Sequence, residues 1–201
     1  MNTHIVINKR IYENYKDEIL PLSARLFCDE YFYDLANYKE PIELIGIKNY
    51  LSYIDEIILY TTATFLDFIN ILLVLSFLKN NNYKGVVNIK YYLLTSTKLK
   101  DGMFMETSLN DSDLSLVDEL LNNIKNNKLV KNNGLKLPGL INYINYYNIL
   151  VDDDNFDFYF QEMIEEYEDD IDSFAEYLSE KYINMGLNKQ FYIDFLKKRG
   201  K

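Results

Sequence analysis

At 201 residues and 48% hydrophobic content, the chain can bury a substantial core in one domain, which excludes disorder as the default. A net charge of −10 excludes generic attraction to nucleic-acid backbones, whose affinity rests on Lys and Arg. A single Cys and a single His exclude an internal disulfide and any zinc cluster.

His4 to Asn8 is short and apolar and reads as a first strand, with His4 as a half-buried polar residue rather than a catalytic base. Lys9 and Arg10 follow where a doubly wound fold places a strand-to-helix turn. No glycine stands there, so a Gly-rich phosphate loop is absent, though both cations suit an anion. Cys28 has no His beside it and reads as a packing residue in a reducing compartment. Around Pro21 the pattern predicts a loop and then a short helix over Ser23 to Tyr33. Pro41 opens a further helix with Ile42, Leu44, Ile45, Ile47, Leu51 and Ile54 as its buried stripe.

The chain is organised around Asp55 to Leu78. Ile57 to Tyr60 is a run of β-formers that reads as a buried central strand. Thr61-Thr62-Ala63-Thr64 makes a polar turn, and Phe65 to Leu78 is apolar on nearly every side, a helix inside a protein core. It is too short and too interrupted to span a bilayer, so no membrane partner is implied. Val86 to Leu94 supplies the returning strand of a βαβ unit.

Thr95 to Gly102 is polar and turn-like, and Phe104-Met105 is a brief apolar stop. Ser112 is placed to cap a helix over Asp113 to Asn126, with Leu114, Leu116, Val117, Leu120, Leu121 and Ile124 inward. Asn132-Asn133-Gly134 marks a turn, and Leu137-Pro138-Gly139-Leu140 opens an apolar segment through Leu150.

Composition shifts at Val151. Asp152 to Glu180 is rich in Asp and Glu and holds no Lys or Arg. Phe156, Phe158, Phe160, Met163, Ile164, Tyr167, Ile171, Phe174, Tyr177 and Leu178 recur there at helical spacing, the pattern of an acidic amphipathic region. Asn188 caps a last helix, Lys189 to Lys198, beyond a turn at Gly186. The fold expectation is therefore α/β and Rossmann-like. A short, mostly parallel sheet of three-layer type spans 1–150, and residues 151–201 form an acidic helical C-terminal extension packed on it.

Candidate chemistry concentrates after the central strand. In an open α/β sheet, ligands bind at the carboxyl ends of strands. Thr61, Thr62, Thr64 and Asp67, with Lys9 and Arg10, would line a site for a nucleotide or phosphate. Thr64 and Asp67 also have the spacing of a capping box, which explains them without a ligand. No calcium loop, nucleophile elbow, P-loop or dinucleotide fingerprint occurs, so no catalytic residue, metal site or cofactor is assigned.

The stretch Asp55 to Leu78 resembles the middle of a bacterial family of unknown function. Its members open with a short strand followed by Gly-Asp-Ser. After their central strand come an aromatic, an acidic or polar turn, and Asp-Gln-Leu or Asp-Gln-Asn-Leu on a buried helix. Here Tyr60 stands for the aromatic and Asp67 for the Asp, with Asn70 in the same polar neighbourhood. Val86 to Leu94, Phe104-Met105-Glu106 to Leu114, Leu137-Pro138-Gly139-Leu140 and Gly186-Leu187-Asn188 are similar to later segments of the family, in its order. Asn8-Lys9-Arg10 replaces Gly-Asp-Ser, and Thr61-Thr62-Ala63-Thr64 replaces the acidic turn, so only Asp67 carries over. The resemblance implies no activity.

Three functions follow as expectations. The first is a non-enzymatic cytoplasmic protein acting through a protein partner or as a homo-oligomer, its interface on the aromatic helices of Phe156 to Leu178. Cytoplasm follows from an N-terminus without a basic segment leading into an apolar one. The second is an enzyme that binds a nucleotide or phosphate ligand above Tyr60. The third is a transcription-associated regulator reading DNA through a helix-turn-helix ending in Asn188 to Arg199.

Overall fold

The computed structural model describes residues 2–8, 11, 23–25, 39–40, 42–95, 98–167 and 170–200. Strands β1 (Asn2–Val6) and β2 (Ser23–Arg25) precede helix α1 (Ile42–Lys48) and a 3-10 turn, Leu51–Tyr53. Then come β3 (Glu56–Thr62), α2 (Phe65–Asn80), β4 (Val86–Thr95) and β5 (Lys98–Leu109). The remainder is helical: α3 (Asp111–Leu114), α4 (Val117–Lys125), α5 (Leu140–Val151), α6 (Asp153–Tyr167), α7 (Ile171–Lys181), a 3-10 turn (Ile183–Met185) and α8 (Lys189–Lys198). Lys9, Arg10 and Cys28 lie outside the described residues.

Among the described residues the strands form one five-stranded sheet in the order β2-β1-β3-β4-β5. The first four run parallel and β5 runs antiparallel to β4. The fold is α/β with a mostly parallel sheet. The chain leaves β1 toward β2 on one side and comes back at β3 on the other. The boundary between β1 and β3 is therefore the point where strand order reverses, and it fixes where a doubly wound sheet opens a crevice.

One expected helix start and one expected turn are strands. Ser23–Arg25 pairs in parallel register with His4 to Val6, where a helix start was expected; the rest of that predicted helix lies outside the described residues. In the polar stretch from Thr95 to Gly102, Thr95 pairs antiparallel with Lys98 and Leu94 with Leu99, and the strand runs on from Lys98 through Phe104 and Met105 as β5. An edge strand tolerates charged residues that a central strand excludes, so composition misleads at such a place.

α2 follows its sequence pattern closely. Every residue from Asp67 to Leu78 is buried, so the helix has no solvent face. It lies between the sheet residues Ile5, Ile57, Leu59 and Ile89 and the helices α4 and α5 in one apolar cluster. Its polar interruption Ser76 donates to Asp118 on α4 at 3.1 Å, and Lys79 pairs with the same carboxylate. Phe65 meets Tyr146 edge-on at 5.6 Å and Phe68 stacks on Tyr143 at 5.0 Å, which ties α2 to α5.

The same cluster continues through Phe156, Phe160, Phe174, Tyr192 and Leu196. Residues on both sides of Val151 thus share one core. The aromatics recurring at helical spacing divide between two sides of α6: Phe156 and Phe160 turn inward, and Phe158, 81% exposed, falls on the opposite side. The expected single helix over Asp113 to Asn126 is two, α3 and α4, divided at Ser115-Leu116. Its cap is Asn110 rather than Ser112, in a capping box closed by Asp113. On α1 and the turn after it, Leu44, Leu51 and Ile54 are buried, whereas Ile45 is exposed.

Gly85, just before β4, illustrates how closely the chain packs at the strand starts. A Cβ there would lie 2.3 Å from the Asp55 carbonyl oxygen and 2.2 Å from the Tyr83 hydroxyl. Backbone cannot yield as a flexible side chain does. Gly85→Ala is expected to destabilise the protein by about 2–4 kcal/mol in a urea titration.

Candidate functional site at the carboxyl ends of β1 and β3

β3 ends at Thr62, and Thr64 holds an extended conformation that starts α2. The Thr64 hydroxyl accepts the Asp67 backbone N–H at 3.2 Å, the ordinary N-cap contact. The expected capping box is therefore half present. The Asp67 carboxylate passes Thr64 and takes the Thr62 backbone N–H at 2.8 Å together with the Thr62 hydroxyl. Asn8, the second residue past β1, donates its side-chain N–H to the same oxygen at 2.9 Å. The Thr61 hydroxyl beside them donates to the Thr62 carbonyl oxygen at 3.2 Å. Three segments, the end of β1, the end of β3 and the first turn of α2, are thus tied through one carboxyl group at the strand-order reversal.

Asp67 is 3% exposed. Burial pushes its carboxyl up from 3.8 to about 6, while the hydrogen bonds from Thr62 and Asn8 pull it partly back. Tyr143 is pushed up to about 12, first by burial and then by the Asp67 charge. The Tyr91 phenol rises for the same two reasons, with Tyr143 adding to them. Near neutrality this is a packed, hydroxyl-rich cluster with protonated phenols near a carboxyl that titrates close to physiological pH.

The C-terminal turn closes over it. Gly186 sits at φ +76°, and a Cβ would lie 3.0 Å from the Thr64 Cβ. Only glycine meets both demands at that position. Asn70, one turn after Asp67, is 1% exposed, and its side-chain oxygen has no hydrogen-bond partner among the described residues. Thr64→Ala removes the α2 cap and is expected to lower stability by about 1 kcal/mol, read from the urea midpoint.

Of the expected site residues, Thr62, Thr64 and Asp67 are joined by hydrogen bonds and Thr61 lies beside them. Lys9 and Arg10 lie outside the described residues. Asn8 was missed; its one signal was a polar side chain directly after the first strand. His4 lies on the other face of the sheet, 3.1 Å from the Tyr60 hydroxyl, and burial and then Lys90 lower its pKa. A cavity of about 510 Å³ is lined by Asn132, Leu135, Gly139 and Ile141, and a smaller one by Leu73, Phe77 and Leu121; both stand away from Asp67. Among the described residues no group of His, Cys, Asp and Glu could hold a metal ion, and no helix is long and apolar enough to cross a membrane.

The basic end of the chain is largely engaged within the fold. Asn188 caps α8 by accepting the Phe191 N–H at 2.8 Å. Lys189 pairs with Asp172 at 2.6 Å and Glu176 at 3.0 Å. Arg199 pairs with Asp153 at 2.8 Å, donates to the Leu150 carbonyl at 2.7 Å, and lies over the Phe156 and Phe195 rings. Comparison of the chain with protein-family models, with curated proteins and with solved structures finds no match.

Proposed function

We propose that this chain is a non-enzymatic cytoplasmic protein that works by association with another protein, through the outer side of its acidic C-terminal helices. The observation that carries the reading is the exposure of large apolar side chains on a helix already packed on its other side. Phe158 is 81% exposed, Tyr159 61% and Ile183 65%. Phe158 meets Tyr159 edge-on at 6.2 Å, so the two exposed rings form one patch on α6. Contiguous exposed apolar surface rimmed by polar residues is characteristic of a docking site.

Phe158→Ser is expected to change stability by less than about 0.5 kcal/mol, because the ring supports nothing beneath it. It should release a co-purifying partner that wild type retains, read by size-exclusion chromatography with mass analysis. A wild type that remains monomeric at high concentration and brings down no partner would sink the reading.

A second reading has its own observation. The Asn8–Thr62–Asp67 knot occupies the place where doubly wound sheets bind ligands, which favours a nucleotide or phosphate ligand contacting Thr61, Thr62, Thr64 and Asp67. A thermal-shift panel of nucleotides, sugar phosphates and divalent cations tests it. Saturation at a hundred times Kd adds about 2.7 kcal/mol, so a true ligand is visible. A hit that persists unchanged in Asp67→Asn counts against this site. The DNA-reading alternative has no comparable observation, since Lys189 is paired with Asp172 and Glu176 and Arg199 with Asp153 of the same chain.

A further inference from the structure

The acids of α6 divide into two sets. Asp153 is paired with Arg199, and Asp157 and Asp152 face the same guanidinium. Asp154, Glu162 and Glu166 are exposed and enter no ion pair among the described residues. On a helix, side chains three and four positions apart are neighbours. Asp154 and Glu162 therefore bracket Phe158 one turn to either side, and Glu162 is also the i+3 neighbour of Tyr159. The segment from Asp152 to Glu180 offers no Lys or Arg to neutralise them.

An apolar partner pressed onto Phe158 and Tyr159 would strip water from these carboxylates, and burying unpaired charge is strongly unfavourable. A partner bringing Lys or Arg at the rim removes that penalty and adds cation–π contact. The chain shows the arrangement once already: Arg199 lies 4.5 Å from the Phe156 ring centroid while paired with Asp153. A second copy is a poor occupant, since its net charge of −10 and matching acids would repel.

We infer that the partner is a cationic amphipathic segment, with apolar side chains on Phe158 and Tyr159 and Lys or Arg on Asp154, Glu162 and Glu166. This rests on the association reading above and names the chemistry of the partner.

The test uses two fluorescent synthetic helices with the same Leu stripe, one carrying Lys on its polar face and the other Glu. Each is titrated by anisotropy into wild type, Phe158→Ser, Glu162→Gln and Glu119→Gln. Glu119 is exposed on α4, so its variant is a charge-matched control. The Lys helix is expected to bind wild type and to weaken about tenfold with Phe158→Ser. Glu162→Gln should weaken it severalfold and Glu119→Gln should not, while the Glu helix stays unbound. If both helices bind alike and both are lost with Phe158→Ser, the association reading stands and the cationic partner falls. Equal weakening by Glu162→Gln and Glu119→Gln, or no effect of Phe158→Ser, reduces binding to bulk attraction and overturns the proposal. Binding of neither helix overturns it together with the docking surface.

Discussion

Asp67→Asn is expected to gain on wild type by about 2–2.5 kcal/mol as pH rises from 4 to 7, read as the difference between their urea stabilities. The wild-type carboxyl is raised from 3.8 to about 6 by burial, so the folded state holds its proton more tightly than the unfolded chain. A group raised in this sense stabilises fully below pH 3.8, and that contribution disappears as pH climbs through 6. Asparagine presents an oxygen to Thr62 and Asn8 and does not ionise, so its profile lacks this fall. Parallel pH profiles for the two proteins would mean that the carboxyl is not held in a dry site. Asp67→Ala separates hydrogen bonding from charge. At pH 4 it leaves the Thr62 N–H, the Thr62 hydroxyl and the Asn8 amide without their acceptor, and should cost about 2–4 kcal/mol.

Phe156→Ala should be the most damaging single truncation after Val151, at about 3–5 kcal/mol. The ring is fully buried, 4.8 Å from Phe160, 5.5 Å from Phe195 and 6.4 Å from Phe174, and the Arg199 guanidinium covers one face. Its removal opens a cavity among side chains from three helices, and that cavity cannot collapse without moving all of them. The coupling extends further: Tyr192 on α8 bonds the Tyr146 hydroxyl, and Tyr146 meets Phe65 at the start of α2. Hydrogen exchange in the variant should therefore accelerate in α2 as well as in α6 to α8. Protection lost only after residue 151 would show that the C-terminal helices unfold alone.

The elements that the sequence revealed are those whose pattern is purely local. α2 was legible because a helix without a polar side can only be a buried one, and β3 because β-formers stand in a run between turn residues. β5 was not, since edge strands are made of residues that also make turns, and only pairing with β4 distinguishes them. The same holds for Asn110, whose capping role depends on Asp113 reaching back. At the site, the Thr and Asp residues were visible because they sit together in sequence. Asn8 and Gly186 were not, because what defines them is contact with Asp67 and Thr64 across the whole fold. Spacing on α6 placed Phe158 within a helix without saying which side faced the core.

The burial of α2 on every side also has a consequence during synthesis. Its covering residues come late: β4 follows it directly, but Leu120 and Leu121 on α4 and Tyr143 and Tyr146 on α5 come well after Leu78. At about 5–20 residues per second, a nascent chain carries the finished helix for roughly 3–14 s before the last of those residues exists. Through that interval a largely apolar helix lacks the partners that cover its outer side. The growing chain should therefore be a strong client for a ribosome-associated holdase, and starving cells of such a factor should send it to aggregates before its mature form shows any weakness.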